Sequence, residues 1–112
     1  MTYVSDIVIE FARIEKDCGV PVIVAMVGGN ASLPCPARGI PLVEWVWSRR
    51  GEVLDINGRV SLVNGGERLN ISLLKEEDSG LYTCNVSNMI GGELFNDSYE
   101  LILDVQSKKC II

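Results

Sequence analysis

Apolar and polar residues alternate in short runs along most of the chain, and turn-forming residues separate the runs. Ala31, Leu33 and Cys35 share one face of a run whose other face is Asn30, Ser32 and Pro34. Val43, Trp45 and Trp47 lie opposite Glu44, Val46 and Ser48. Leu69, Ile71 and Leu73 alternate with Asn70 and Ser72, and Tyr82, Cys84 and Val86 alternate with Thr83 and Asn85. The last run places Tyr99, Leu101, Leu103 and Val105 opposite Glu100, Ile102 and Asp104. Each run reads as a strand with one face for a core. Arg50-Gly51, Asn57-Gly58 and Asn64-Gly65 supply residues that accept positive φ, and they bracket short runs at Glu52–Ile56 and Arg59–Val63. The predicted class is all-β, a two-sheet sandwich.

The N-terminus is the one place where two periodicities compete. Ile7, Ile9 and Phe11 alternate as a strand would, while Val4, Ile7, Val8, Phe11 and Ile14 also fit a helical stripe. The β-branched residues of Val4–Ile9 favour the strand. Cys18-Gly19-Val20-Pro21 then reads as a kink where the first strand changes sheets.

A length of 112 residues allows one domain. With 47% hydrophobic and 22% charged residues the chain is globular in composition, and no apolar stretch reaches the length of a membrane span. The sequence has no histidine, which excludes Ser-His-Asp and Cys-His chemistry. Ten basic against fifteen acidic residues give a net charge of −5, which repels phosphate backbones and argues against a nucleic-acid partner. Glu76-Glu77-Asp78 and Asn96-Asp97 lack the spacing of a calcium loop. No enzyme activity, cofactor or metal site is expected.

Four cysteines, Cys18, Cys35, Cys84 and Cys110, show no C-x-x-C spacing, so disulfides are favoured over zinc. Cys35 and Cys84 both sit mid-strand on an apolar face and are the candidates for a staple across the sandwich, with two buried thiols as the alternative. Four Asn-x-Ser sequons, at Asn30, Asn70, Asn85 and Asn96, point to the secretory pathway and to N-linked glycans. Met1-Thr2-Tyr3 opens no signal-peptide pattern, which reads as an excised ectodomain fragment.

The segment Asp78-Ser79-Gly80-Leu81-Tyr82-Thr83-Cys84 resembles the strand F motif of immunoglobulin domains, in which a tyrosine two before the cysteine bonds back to the preceding turn. Gly39-x-Pro41-x-Val43-x-Trp45-x-Trp47-x-Arg49-x-Gly51 is similar to strand C of that family. Trp47 stands in the place of the tryptophan that packs on the disulfide, and Trp45 in a neighbouring core slot usually held by an aliphatic residue. The cysteine interval, 84 minus 35, and Cys84-x-Val86-x-Asn88-x-x-Gly91 resemble the intermediate type, or I-set. The Phe-Gly-x-Gly bulge of antigen receptors is absent. The resemblance covers Val22–Val105, with residues 1–21 as an N-terminal extension and first strand, 22–106 as the domain and 107–112 as a linker.

The resemblance implies a core of Trp47, Trp45, Tyr82, Leu33 and Leu73, a bridge between Cys35 and Cys84, and a salt bridge between Arg59 and Asp78. It leaves Cys18 and Cys110: parity of the leftover pair favours a bond, while the parallel course expected for Val22–Val27 and the last strand places them at opposite ends. The functional expectation is a protein-recognition or adhesion module of a cell-surface receptor, extracellular and anchored by a single span elsewhere. Its partner is a protein on the same or an opposing cell, a second copy of itself included. A spacer domain of a matrix or filament protein and a ligand-binding receptor-kinase ectodomain are the alternatives. Two binding surfaces are expected, one centred on Val46 and Ile102 with Glu100 beside them, and one at the hairpin tip with Met89, Ile90 and Phe95. A glycan on Asn85 would obstruct the first.

Overall fold

A computed structural model describes residues 9–16 and 18–107. Ten strands follow one another: β1 Glu10–Ile14, β2 Val22–Met26, β3 Ala31–Pro34, β4 Ala37–Ile40, β5 Glu44–Arg49, β6 Glu52–Val53, β7 Val60–Val63, β8 Arg68–Ile71, β9 Gly80–Ile90 and β10 Glu93–Gln106. Single helical turns at Asn64–Gly66 and Glu76–Asp78 are the only helix among the described residues. One layer is the five-stranded sheet β2-β10-β9-β5-β6. The other is built from β3-β8-β7 and the pair β1-β4. Strands β3 and β4 are interrupted at Cys35-Pro36, where proline has no N–H for a ladder. There the Cys35 N–H donates to the Glu67 carbonyl at 2.8 Å and the Glu15 N–H to the Pro36 carbonyl at 2.9 Å. The expected two-sheet sandwich is therefore the observed one.

The core lies between the layers. Leu33, Leu69, Tyr82, Cys84, Val86, Leu101 and Leu103 are buried, as are Trp47 and Ile71. Cys35 and Cys84 form a disulfide that ties the layers together. Both indoles also cross between layers: Trp47 Nε1 donates to the Gly66 carbonyl at 2.7 Å and Trp45 Nε1 to the Cys35 carbonyl at 2.9 Å. Trp45 is half-buried at the edge of the core.

Three expectations are corrected. Leu73 is exposed, and Leu74 takes the interior position. The reason is a left-handed residue: Leu73 has φ of 50°, which shifts the alternation by one place. Leu74 is then fastened to the β2–β3 turn, its N–H donating to the Gly29 carbonyl and its carbonyl accepting from the Gly28 N–H. In β1, Ala12 and Ile14 point inward while Phe11 points out. The register of β1 on β4 is irregular between Glu10 and Arg13, and Phe11 lies in that stretch. Asn57-Gly58 turns without positive φ, because the Asn57 Oδ1 accepts from the N–H groups of Arg59 and Val60. By contrast Arg50-Gly51 and Asn64-Gly65 do adopt positive φ.

Cys18 is exposed in the segment between β1 and β2. A bond between it and Cys110 falls outside the described residues, as do Val4 and Ile7.

Candidate functional site

Strand pairing sorts the outward face of the five-stranded sheet into rows. Ile102 on β10 faces Val22 on β2 and Leu81 on β9, so three apolar side chains from three strands form one row. All three are exposed, Val22 most of all at 56%. Val24, 57% exposed, continues the apolar surface along β2, beside Asp104. The next row toward the β9–β10 hairpin is Glu100, Thr83 and Ser48. Beyond it come Ser98, Asn85 and Val46, then Asn96, Ser87 and Glu44.

Val46 and Ile102 therefore do not share a centre. Val46 aligns through Asn85 with Ser98, four residues from Ile102 along β10, which is ~13 Å at strand rise. Two sequon asparagines, Asn85 and Asn96, stand in the upper rows beside Val46, and both are exposed. The lower apolar row carries none. Asn30 is exposed in the turn before β3, and Asn70 is half-buried on β8.

At the hairpin, Met89 and Leu94 pair across the strands and are both exposed, and Gly91 and Gly92 form the tip with positive φ. Ile90 is half-buried. Phe95 turns to the opposite side and stacks on Phe11, with ring centroids 4.4 Å apart. This pairing belongs to the docking of β1 on the hairpin stem. Asn88 completes that docking from a buried position: its Oδ1 accepts from the Ala12 N–H at 3.0 Å, and its Nδ2 donates to the Glu10 carbonyl at 2.8 Å and the Pro41 carbonyl at 3.0 Å. Asp97 adds a bond from the Ile14 N–H and an ion pair with Lys16.

The end of the sheet below the apolar row is held by charge. Arg59 Nη1 and Nη2 reach the Asp78 carboxylate at 3.1 and 3.3 Å. The Tyr82 hydroxyl donates to the Asp78 carbonyl at 2.6 Å, and Arg49 lies over the Tyr82 ring while donating to the Glu77 and Ser79 carbonyls. Burial pushes the Asp78 carboxyl up, but the hydrogen bonds from Arg59 and the Lys75 N–H, with the charges of Arg59 and Arg49, outweigh it and hold the group below its ordinary value. A depressed folded value means that the ionised group stabilises the fold above the unfolded carboxylate range and loses that contribution as the pH falls through the folded value. Urea unfolding between about pH 7 and pH 3 is expected to show this loss, and Asp78→Asn to start less stable at neutral pH with a shallower decline. An unaltered slope in the variant would show that other carboxylates set the acid limit; Asp97, likewise depressed, is the next in line.

The comparisons with known proteins agree with this architecture. A family model described as an immunoglobulin domain matches residues 20–88. The chain belongs to the immunoglobulin family. This immunoglobulin domain is 39% identical over 71 residues to hemicentin-1 of Mus musculus, covering 62% of the chain and 1% of that protein. It is 35% identical over 83 residues to neuroglian of Drosophila melanogaster, covering 74% and 6%. With vascular cell adhesion protein 1 of Homo sapiens it shares 35% over 81 residues, covering 72% and 10%. The chain thus spans a tenth or less of the length of these relatives. A solved structure concerned with Dscam isoform specificity superposes with a TM-score of 0.72 at 31% identity, covering 88% of this chain and 25% of that one. Titin domain M7 superposes at 0.71 with 26% identity, covering 88% and 97%.

Parity in the sequence marks Ile102 as outward, but its neighbours Val22, Val24 and Leu81 emerge only from the strand register. The outward face of this sheet thus divides into upper rows that carry two sequons and a lower row of exposed apolar side chains that carries none.

Proposed function

We propose that this immunoglobulin domain is an extracellular protein-recognition module of a larger adhesion or receptor protein, and that it contacts its partner through the row Val22, Ile102 and Leu81. The observation that carries the reading is this row of apolar side chains presented to solvent at a register that aligns them across three strands. A domain that served only as a spacer has no use for such a row. Relatives that include a vascular cell adhesion protein support an adhesive role. The disulfide and the four sequons suit an oxidising compartment with N-linked glycans. Recognition here needs no catalytic group, and modest affinity summed over many copies is enough for adhesion.

The test is Leu81→Asp on the multivalent domain, measured by capture of beads that carry the same domain or the ectodomains of adhesion relatives. Capture is expected to fall about tenfold or more, as for a central contact residue, with little change in melting temperature. Val46→Asp, in the row beside the sequons, should leave capture intact. Equal capture by Leu81→Asp and the parent domain would discard this face.

A further inference from the structure

The free edge of β2 offers a different kind of contact from the apolar row beside it. In the parallel ladder between β2 and β10, the Ile102 N–H donates to the Pro21 carbonyl and the Val27 N–H to the Gln106 carbonyl, both at 2.9 Å. These two bonds fix the phase of the ladder. Odd-numbered residues of β2 turn their peptide groups toward β10, so Val22, Val24 and Met26 turn theirs to the open side. Among the described residues only the Met26 carbonyl has a partner there, the Gly29 N–H at 3.0 Å.

This edge is undefended. No residue from Gly19 to Asn30 is charged. The other sheet edges carry the usual protections: β6 is two residues long and contains Glu52, β1 contains Glu10 and Arg13, β4 contains Arg38, β3 is four residues long and ends at Pro34, and β7 follows Arg59 directly. No sequon lies on β2; Asn85 is two strands further in, and Asn96, on the neighbouring β10, stands six residues from Ile102 toward the hairpin. The side chains flanking the edge are Val22, Val24 and Met26, all exposed.

We propose that a second copy of this chain adds to the edge, the two β2 strands antiparallel about a two-fold axis at Val24, so that two five-stranded sheets become one of ten. The proposal rests on the recognition reading and names its partner. In this register Val24 pairs with Val24 and exchanges both of its backbone bonds, and Val22 pairs with Met26. Every outward donor on each copy then meets an acceptor on the other, with the Met26 carbonyl accepting a second bond. Because the pairing is isologous, the same five residues serve both copies. The apolar rows of the two copies come to lie on one continuous face.

The edge itself favours this occupant: its outward donors and acceptors are arranged symmetrically about Val24, so an identical strand satisfies them in one register, and no charged residue from Gly19 to Asn30 opposes the pairing. Two chains of net charge −5 repel at large, yet the acidic residue paired with Val24 in each copy is Asp104, one strand in from the edge on β10. The two Asp104 residues stand three strand spacings apart, ~14 Å, which exceeds the ~8 Å screening length at physiological salt. A contact of this size falls short of the roughly 1,200 Å² at which stable interfaces begin, so the dimer is weak and reversible in solution and gains strength only on a surface that displays many copies.

Sedimentation equilibrium from about micromolar to about millimolar protein tests the proposal, with Cys18→Ser and Cys110→Ser to exclude covalent dimers. A reversible dimer is expected, with concentration-dependent protection of the Val22, Val24 and Met26 amides in hydrogen exchange. Val24→Pro removes one outward N–H and no bond within the domain, so it should weaken dimerisation tenfold or more while the fold stays intact; Val24→Lys, which keeps the N–H and adds charge, should weaken it too. A monomer throughout, or a dimer indifferent to both variants, overturns the proposal. If the protein is monomeric while Leu81→Asp still abolishes bead capture, self-pairing falls and the recognition face stands. If Val24→Pro instead abolishes capture of another ectodomain by a monomeric domain, the edge takes a foreign strand and the second copy is again excluded.

Discussion

Replacing Cys35 and Cys84 together by alanine is expected to lower the unfolding free energy by about 4 kcal/mol, measured by urea denaturation of the oxidised protein and the double variant. The estimate comes from the chain that the bond closes. The cysteines are 49 residues apart, and releasing that loop restores conformational freedom mainly to the unfolded state. Both residues are fully buried, and Cys84 stands opposite Trp47 across the β5–β9 ladder. Alanine therefore also forfeits contacts between sulfur and its packed neighbours. A domain of ordinary stability, about 5–15 kcal/mol, loses a quarter to most of its margin. A change below about 1 kcal/mol would mean that the reduced unfolded chain is already compact enough to forgo the constraint.

The second large effect is expected from Asn88→Leu. The substitution is close to isosteric but leaves the Ala12 N–H and two carbonyls without partners, and of these the Ala12 group is buried. An orphaned buried donor costs about 1–3 kcal/mol, and the exposed Pro41 and half-buried Glu10 recover water for part of the remainder. A loss of about 2–3 kcal/mol overall is expected. Hydrogen exchange distinguishes where it falls. Strand β1 is held by Asn88, by the Asp97 bond to the Ile14 N–H and by the ladder to β4, so removing the first should raise exchange at Ala12 and Ile14 well before exchange in β9. Asn88→Asp keeps the acceptor but at neutral pH sets a buried carboxylate oxygen against the Glu10 and Pro41 carbonyls, and should cost at least as much as leucine. Uniform acceleration across both sheets would show that β1 and the core open as one unit.

The alternation of side chains carried most of the core, because a strand with one wet face repeats every second residue. Leu33, Leu69, Tyr82, Leu101 and Leu103 all lie where that rule puts them. The rule failed at Leu73, where a single left-handed residue exchanges inside for outside without any mark in composition. It failed at Phe11, where the pairing of β1 with β4 is irregular between Glu10 and Arg13 and Ala12 and Ile14 take the inward phase. Asn88 was readable in principle. It occupies the inward phase of β9 after Tyr82, Cys84 and Val86, and an amide among such neighbours signals a buried hydrogen-bonding post. The apolar row was partly legible: parity turns Ile102 outward, but which residues stand beside it depends on register, and register is a property of pairs of strands.

The parallel course of β2 and β10 has a mechanical meaning. Tension drawn through the chain pulls β2 from its Val22 end and β10 from its Gln106 end, in opposite directions along the shared ladder. The five register pairs are then loaded in shear and must slip together, whereas an antiparallel hairpin pulled open at its ends gives way one bond at a time. The same strand whose outer edge lies open is, on its inner edge, the latch that bears a pulling force.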